Sequence, residues 1–198
     1  MTREEEQEVI RRAMRGDGEA MACLISTHKD GLYAFMLRMS GRPHIAEDIV
    51  QEAFVRVLKN IERFDSRFRF STWLFTIAKR LYVNAMQKHR PVYDTDTVGA
   101  AGAGGGDAAT AHGIATRGET LDTIRSVLDT ALQCLNEQQR EIILLFHQQN
   151  WPICEIGAYL DMPEGTVKSH LHRARRKMKK YIEGDDQLSA SVVEVWAG

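Results

Sequence analysis

Thr166, Lys168, Ser169, His172, Arg173 and Arg176 recur at three- and four-residue spacing, which places them on one face of a helix. That face carries hydroxyls, an imidazole and three cations. Val167, Leu171, Ala174 and Met178 form the apolar stripe of the opposite face. From Gly165 to Ile182 there are seven Lys or Arg and no acid; from Ser66 to Arg90 there are six and again no acid. The second stretch opens on Arg67-Phe68-Arg69-Phe70, where cations and rings alternate. The formal net charge is only −1, because acids gather elsewhere: Glu4, Glu5, Glu6 and Glu8 at the start, Asp94, Asp96 and Asp107 in the middle. One such run reads equally well as a solvated helix face. Two separate runs on a near-neutral chain point to two contacts with a polyanion, since each Lys or Arg near a phosphate releases a condensed counterion.

The elements around these residues are helical. A short helix from Ile153 to Leu160, the turn Asp161-Met-Pro-Glu-Gly165 and a basic helix to about Tyr181 make a helix-turn-helix, whose second helix enters the major groove of DNA. Two amphipathic helices precede it, Leu121 to Leu135 and Glu137 to His147, the latter with Asn136 as N-cap, and Trp151-Pro152 interrupts the pattern. In the N-terminal half a short stripe (Val9, Ala13, Met14) stops at Gly16-Asp17-Gly18. A second helix from Ala20 to Met39 buries Leu24, Leu32, Phe35, Met36 and Met39, and a third, from about His44 to Asn60, buries Ile45, Ile49, Ala53, Val57 and Ile61. A fourth, capped by Ser71 or Thr72, runs to Arg90, where Pro91 ends it. Strand-type alternation is absent from this half, and the fold class is all-α.

Of the 20 residues from Gly99 to Gly118, 14 are Gly or Ala. The range 91–118 therefore reads as a flexible linker between a domain at 1–90 and one at 119–184. Such a tether spans roughly 30 Å on average, which predicts a broad range of interdomain distances in the free protein. The tail, 185–198, holds Val192, Val193, Val195 and Trp196; its apolar content implies docking, with no site assigned.

Several classes of function are set aside. His170 and His172, two apart, face different ways on a helix and cannot share a metal, and the linker glycines lack the Lys-Ser/Thr of a phosphate loop. No catalysis, cofactor or metal is expected. Three widely spaced cysteines (Cys23, Cys134, Cys154) argue against disulfides and for a reducing cytoplasm. Cys154 is expected as a small buried filler. The longest aliphatic and aromatic run is Ile142–Phe146, too short to insert in a membrane, and the acidic start is unlike a signal peptide. Trp73, Ile77 and Leu81 recur at four, so Trp73 is assigned to the core rather than to a stacking platform.

Three segments, Ala46-Glu-Asp-Ile-Val-Gln-Glu-Ala-Phe54, Phe70-Ser-Thr-Trp-Leu-Phe-Thr-Ile-Ala78 and Pro163-Glu-Gly-Thr-Val-Lys-Ser169 with Arg173-Ala-Arg175, resemble signatures of bacterial extracytoplasmic-function sigma factors, in the family's order. The resemblance covers about 20–90 and 121–182. It implies a sigma region 2 helical bundle and a sigma region 4 helix-turn-helix, in a dissociable subunit of core RNA polymerase that recognises and opens promoter DNA. Asp48, Gln51 and Glu52 then match positions that meet the polymerase clamp. Asp65, Ser66, Arg67, Phe68, Lys79, Arg80, Asn84 and Lys88 match the segment that reads the single-stranded minus-ten element, where a base is extruded, stacked and held by cations. Thr166, Lys168, Ser169, His172, Arg173 and Arg176 match those facing the double-stranded minus-thirty-five element, Lys168 and Arg173 as base readers, Thr166 and Arg176 as phosphate positioners. An anti-sigma factor is an implied further partner. Asp161 stands where a turn glycine is frequent, and His170 replaces a frequent arginine. The rival reading is a two-domain regulator that binds duplex DNA without polymerase; such a protein has no use for the Arg/Phe loop.

Overall fold

Thr2 and Glu5 hold each other in a reciprocal capping box that starts α1 (Arg3–Met14). A computed structural model describes residues 2–66, 68–88 and 117–185. Asp17 accepts hydrogen bonds from the amides of Glu19 and Ala20 and so starts α2 (Gly18–Ser40). Gly41, at φ +66°, stops it in a left-handed conformation that costs glycine nothing. Pro43 then opens α3 (Pro43–Asn60), its fixed φ suited to a first helical turn. The expected stripes are buried: Leu24, Leu32, Phe35, Met36 and Met39 on α2, and Ile45, Ile49, Ala53, Val57 and Ile61 on and just after α3.

A 3-10 turn (Ile61–Arg63) and a loop lead to α4 (Phe70–Lys88). This helix starts one residue before Ser71, so neither Ser71 nor Thr72 caps it. Phe70 is fully buried against His28, Phe64 and Trp73, with centroids 5.1–6.1 Å away. Burial of that ring, worth roughly 1.5–3 kcal/mol, outweighs a side-chain cap worth about 1 kcal/mol. Trp73 packs on this core as expected. Arg90, Pro91 and the linker as far as 116 lie outside the described residues, as does the tail beyond Asp185.

In the second half come α5 (Arg117–Gln133), α6 (Glu137–His147), α7 (Ile153–Leu160) and α8 (Glu164–Glu183). Asn136 caps α6 by accepting from Gln139 N at 2.8 Å. Among the described residues every regular element is a helix, and none is long and apolar enough to cross a membrane.

The two halves touch, where the tether predicts widely ranging distances. Trp151, 3% exposed, lies 5.4 Å from Phe75 of α4 and 5.3 Å from Tyr159 of α7, so one apolar cluster runs through both halves. Polar contacts flank it: Gln149 Nε2 donates to Gly31 O at 3.0 Å, and Arg38 pairs with Asp129 at 2.7 Å. The apolar surface of Trp151 and Tyr159, unused within α6 to α8, finds its complement on α4.

Candidate nucleic-acid interface

The helix-turn-helix depends on two backbone features. Asp161 ends α7 at φ 53°, ψ 51°, the left-handed position where a glycine is frequent in the resembled family; aspartate tolerates it better than most residues. Gly157, buried in α7, faces the turn so closely that an added Cβ would sit 2.8 Å from Met162 O. The turn can therefore fold back over α7 and lay α8 across it. Val167, Leu171 and Ala174 are buried beneath α8, with Met178 half-buried.

The opposite face of α8 is open. Lys168, Ser169, His172, Arg173 and Arg176 are exposed and Thr166 is half-buried, so all six expected residues lie off the core stripe. Ser169 Oγ donates to Gly165 O at 2.9 Å and Arg173 Nε to Ser169 O at 3.3 Å, which lays these side chains along the helix. Lys168 lies 4.0 Å from Glu164, an exposed pairing that leaves its ammonium accessible. His170 does not replace an arginine electrostatically. Burial, with Arg173 beside it, lowers its pKa below the ordinary imidazole value and so favours the neutral ring. Arg175, also exposed, leans toward α6, donating to His147 Nε2 and lying over the Phe146 ring.

In the N-terminal half the Arg/Phe alternation is resolved by packing. Phe70 is core, whereas Phe68 is 64% exposed on a turn whose amide donates to Asp65 O at 3.1 Å. Ser66 beside it is exposed and Asp65 half-buried; Arg67 lies outside the described residues. Arg80, Asn84 and Lys88, four apart, are exposed along one side of α4. Lys79 does not join them. Its ammonium lies 2.9 Å from both carboxylate oxygens of Glu141 on α6 and 5.0 Å from the Tyr159 ring centroid. Arg69 is similarly engaged, 2.7 Å from Glu155 of α7. Two cations of the basic stretch are thus held by the other half of the chain.

Asp48, Gln51 and Glu52 are all exposed on α3, away from its buried stripe, and Glu52 accepts from Arg56 at 2.7 Å. Cys154 is exposed and is not a core filler: α7 buries Ile156 and Gly157, and the second residue of the helix faces solvent. Cys134 is half-buried, and burial pushes its thiol up. Among the described residues no group of three or more His, Cys, Asp and Glu could hold a metal ion.

Glu141 lies outside the residues that spacing and motif single out. It is a charged residue only 5% exposed, and its one signal in the sequence is its place directly before the apolar run Ile142–Phe146. Burial pushes its carboxyl above the ordinary glutamate range, and Lys79 pulls it partly back. Tyr159 faces the same carboxylate, its hydroxyl 3.5 Å from Phe75 O, and burial raises its phenol strongly.

Comparison with known proteins agrees with this geometry. Residues 24–92 match the Sigma-70 region 2 family, and residues 125–178 match the Sigma-70 region 4 family. The ECF RNA polymerase sigma factor SigW of Bacillus subtilis is 33% identical over 176 residues, which cover 87% of this chain and 94% of SigW. The chain belongs to the ECF RNA polymerase sigma factors. CarQ of Myxococcus xanthus, another RNA polymerase sigma factor, is 29% identical over 84% of this sigma factor and 91% of CarQ. In fold it is similar to CnrH, solved in complex with the cytosolic domain of CnrY, with a TM-score of 0.67 at 20% identity over 91% of this chain and 99% of CnrH. The region 2 match begins within α2 and takes in α3 and α4; the region 4 match runs from α5 into α8.

Proposed function

We propose that this sigma factor docks on core RNA polymerase through the exposed acids and amide of α3 and directs it to promoters by two DNA contacts. Lys168, Ser169, His172 and Arg173 on α8 read the minus-thirty-five element in the major groove, with Thr166 and Arg176 on the flanking phosphates. Phe68, with Asp65, Ser66 and Arg67, receives an extruded base of the minus-ten element, while Arg80, Asn84, Lys88 and, after release from Glu141, Lys79 track the strand. The observation that carries this reading is the division of α8: an apolar stripe sealed on α6 and α7, and a cationic, hydroxyl-bearing face on which all but the half-buried Thr166 are exposed. The protein acts in the cytoplasm, where polymerase and chromosome are, and performs no catalysis of its own. An anti-sigma polypeptide is a further partner, a reading supported by the fold-related sigma factor RpoE of Bartonella quintana, solved in complex with the anti-sigma factor NepR.

Run-off transcription with purified core polymerase tests the proposal. Promoter-specific transcript only in the presence of this protein is the expected result. Duplex binding without any polymerase-dependent transcript would instead make it a stand-alone regulator.

A further inference from the structure

A groove of 710 Å³ runs between α5, α6 and α8 and reaches α2 at Arg38. Leu128, Leu132, Ile143 and Met178 line it, and Leu128 is 46% exposed, an aliphatic side chain with no cover from its own half. An open apolar groove of this kind marks a binding surface. Its last lining residues, Ile182 and Glu183, are in the final turn of α8, so the chain that continues past Asp185 leaves the fold at the groove's mouth.

The segment 186–198 has the matching chemistry. It carries Leu188, Val192, Val193, Val195 and Trp196, and its only charged side chains are the acids Asp186 and Glu194. The groove's rim carries Arg38, Arg125, Arg175 and Lys179; Arg38 pairs with Asp129 and Lys179 with Glu183, which leaves the rim net positive. Val192 is seven residues past Asp185, a reach of up to about 25 Å when extended. A tether this short holds the segment at an effective concentration on the order of mM, so even weak docking is populated. We propose that residues 186–198 fold back into this groove, with Trp196 and the valines on Leu128, Ile143 and Met178 and the two acids among the rim cations.

The test is methyl and indole NMR on the full chain. In Trp196→Ser the methyl resonances of Leu128, Ile143 and Met178 are expected to shift from wild type, with unchanged circular dichroism, and the wild-type positions should survive tenfold dilution. A synthetic peptide of residues 186–198 at mM concentration should move them back. In Leu128→Asp, a change at a half-exposed position checked by unchanged circular dichroism, the Trp196 indole resonance should move to that of the free peptide. Coincident methyl spectra in wild type and Trp196→Ser would overturn the proposal. So would shifts that vanish on dilution, which would assign the groove to a second copy of the chain.

Discussion

Lys79 Nζ stands 2.9 Å from both carboxylate oxygens of Glu141, a residue 62 positions later in the chain. The pair joins α4 to α6, and it exists only while the two halves are together. Glu141 is buried, so its carboxylate has surrendered most of its hydration to Lys79 and Tyr159. In the proposed function a DNA phosphate competes for the same ammonium. The closed arrangement and full engagement of the minus-ten strand are therefore alternatives for this one cation, and Arg69, paired with Glu155, is under the same constraint.

Lys79→Met should destabilise the protein by about 3 kcal/mol, the low end for breaking a buried pair because Lys79 itself is 36% exposed. Glu141→Gln in the same chain should recover most of the loss. The effect depends on pH with a definite sign. Glu141 has a folded pKa above its ordinary 4.5, so its contribution is fully present below that value and is lost as pH rises through the folded pKa. Without Lys79 that folded pKa climbs further, and the gap between variant and wild type should widen with rising pH. Urea midpoints at a series of pH values measure it; a constant gap would contradict the assignment.

Reversing Asp48 and Glu52 to Lys should weaken binding to core polymerase at least tenfold and leave helicity unchanged. Both residues are exposed, and the Glu52–Arg56 pair that is lost is worth only about 0.3–0.5 kcal/mol. Pull-down with core enzyme, beside circular dichroism, decides; wild-type affinity would remove α3 from the polymerase contact.

Phe68→Ala should alter stability by no more than about 0.5 kcal/mol, since the ring is 64% exposed. Promoter opening should suffer instead, because stacking on an extruded base is worth about 1–3 kcal/mol, roughly 5- to 150-fold in open-complex formation. Permanganate reactivity of unpaired thymines reports this directly. Equal reactivity at saturating enzyme would place the base pocket elsewhere.

Arg173→Ala should lose affinity selectively, by about 1–3 kcal/mol on promoters carrying its preferred base and little on those substituted there. Arg176→Ala should weaken every promoter alike and reduce the salt slope by about 1. Binding across a base-substituted promoter set at several salt concentrations separates the two; uniform losses in both variants would abolish the distinction.

Gly157→Ala should destabilise the helix-turn-helix by about 1–3 kcal/mol, because a methyl 2.8 Å from Met162 O forces α7 and the turn apart. In a chain of this size that lowers the melting temperature by roughly 2–4 °C per kcal/mol. A thermal scan showing no change would mean that the turn relaxes freely.

The helices themselves were legible because their signals are local. Alternation of apolar and polar positions at three and four residues needs only neighbours in the chain, and it located α2, α3, α6, α7 and α8 to within a few residues. Asn136 as a cap and Asp161 as a left-handed turn residue were readable for the same reason. Where local chemistry competed with packing, packing prevailed: Phe70 starts α4 ahead of Ser71, and Cys154 faces solvent although its composition favours burial.

By itself, then, the sequence determined an all-α chain with a basic helix-turn-helix face, an Arg/Phe loop and three ordered family signatures, since periodicity, charge and motif are written in consecutive residues. Only the tertiary structure decided which cations are available. Arg80 and Lys88 are exposed while Lys79 and Arg69 are occupied, and the difference is made by Glu141 and Glu155, acids from the other half of the chain. It also turned Trp151, an apparent interruption, into the centre of the contact between halves. The reason is physical. Burial and ion pairing are properties of groups brought together from distant positions, and no periodicity in one segment specifies which surface of another will cover it.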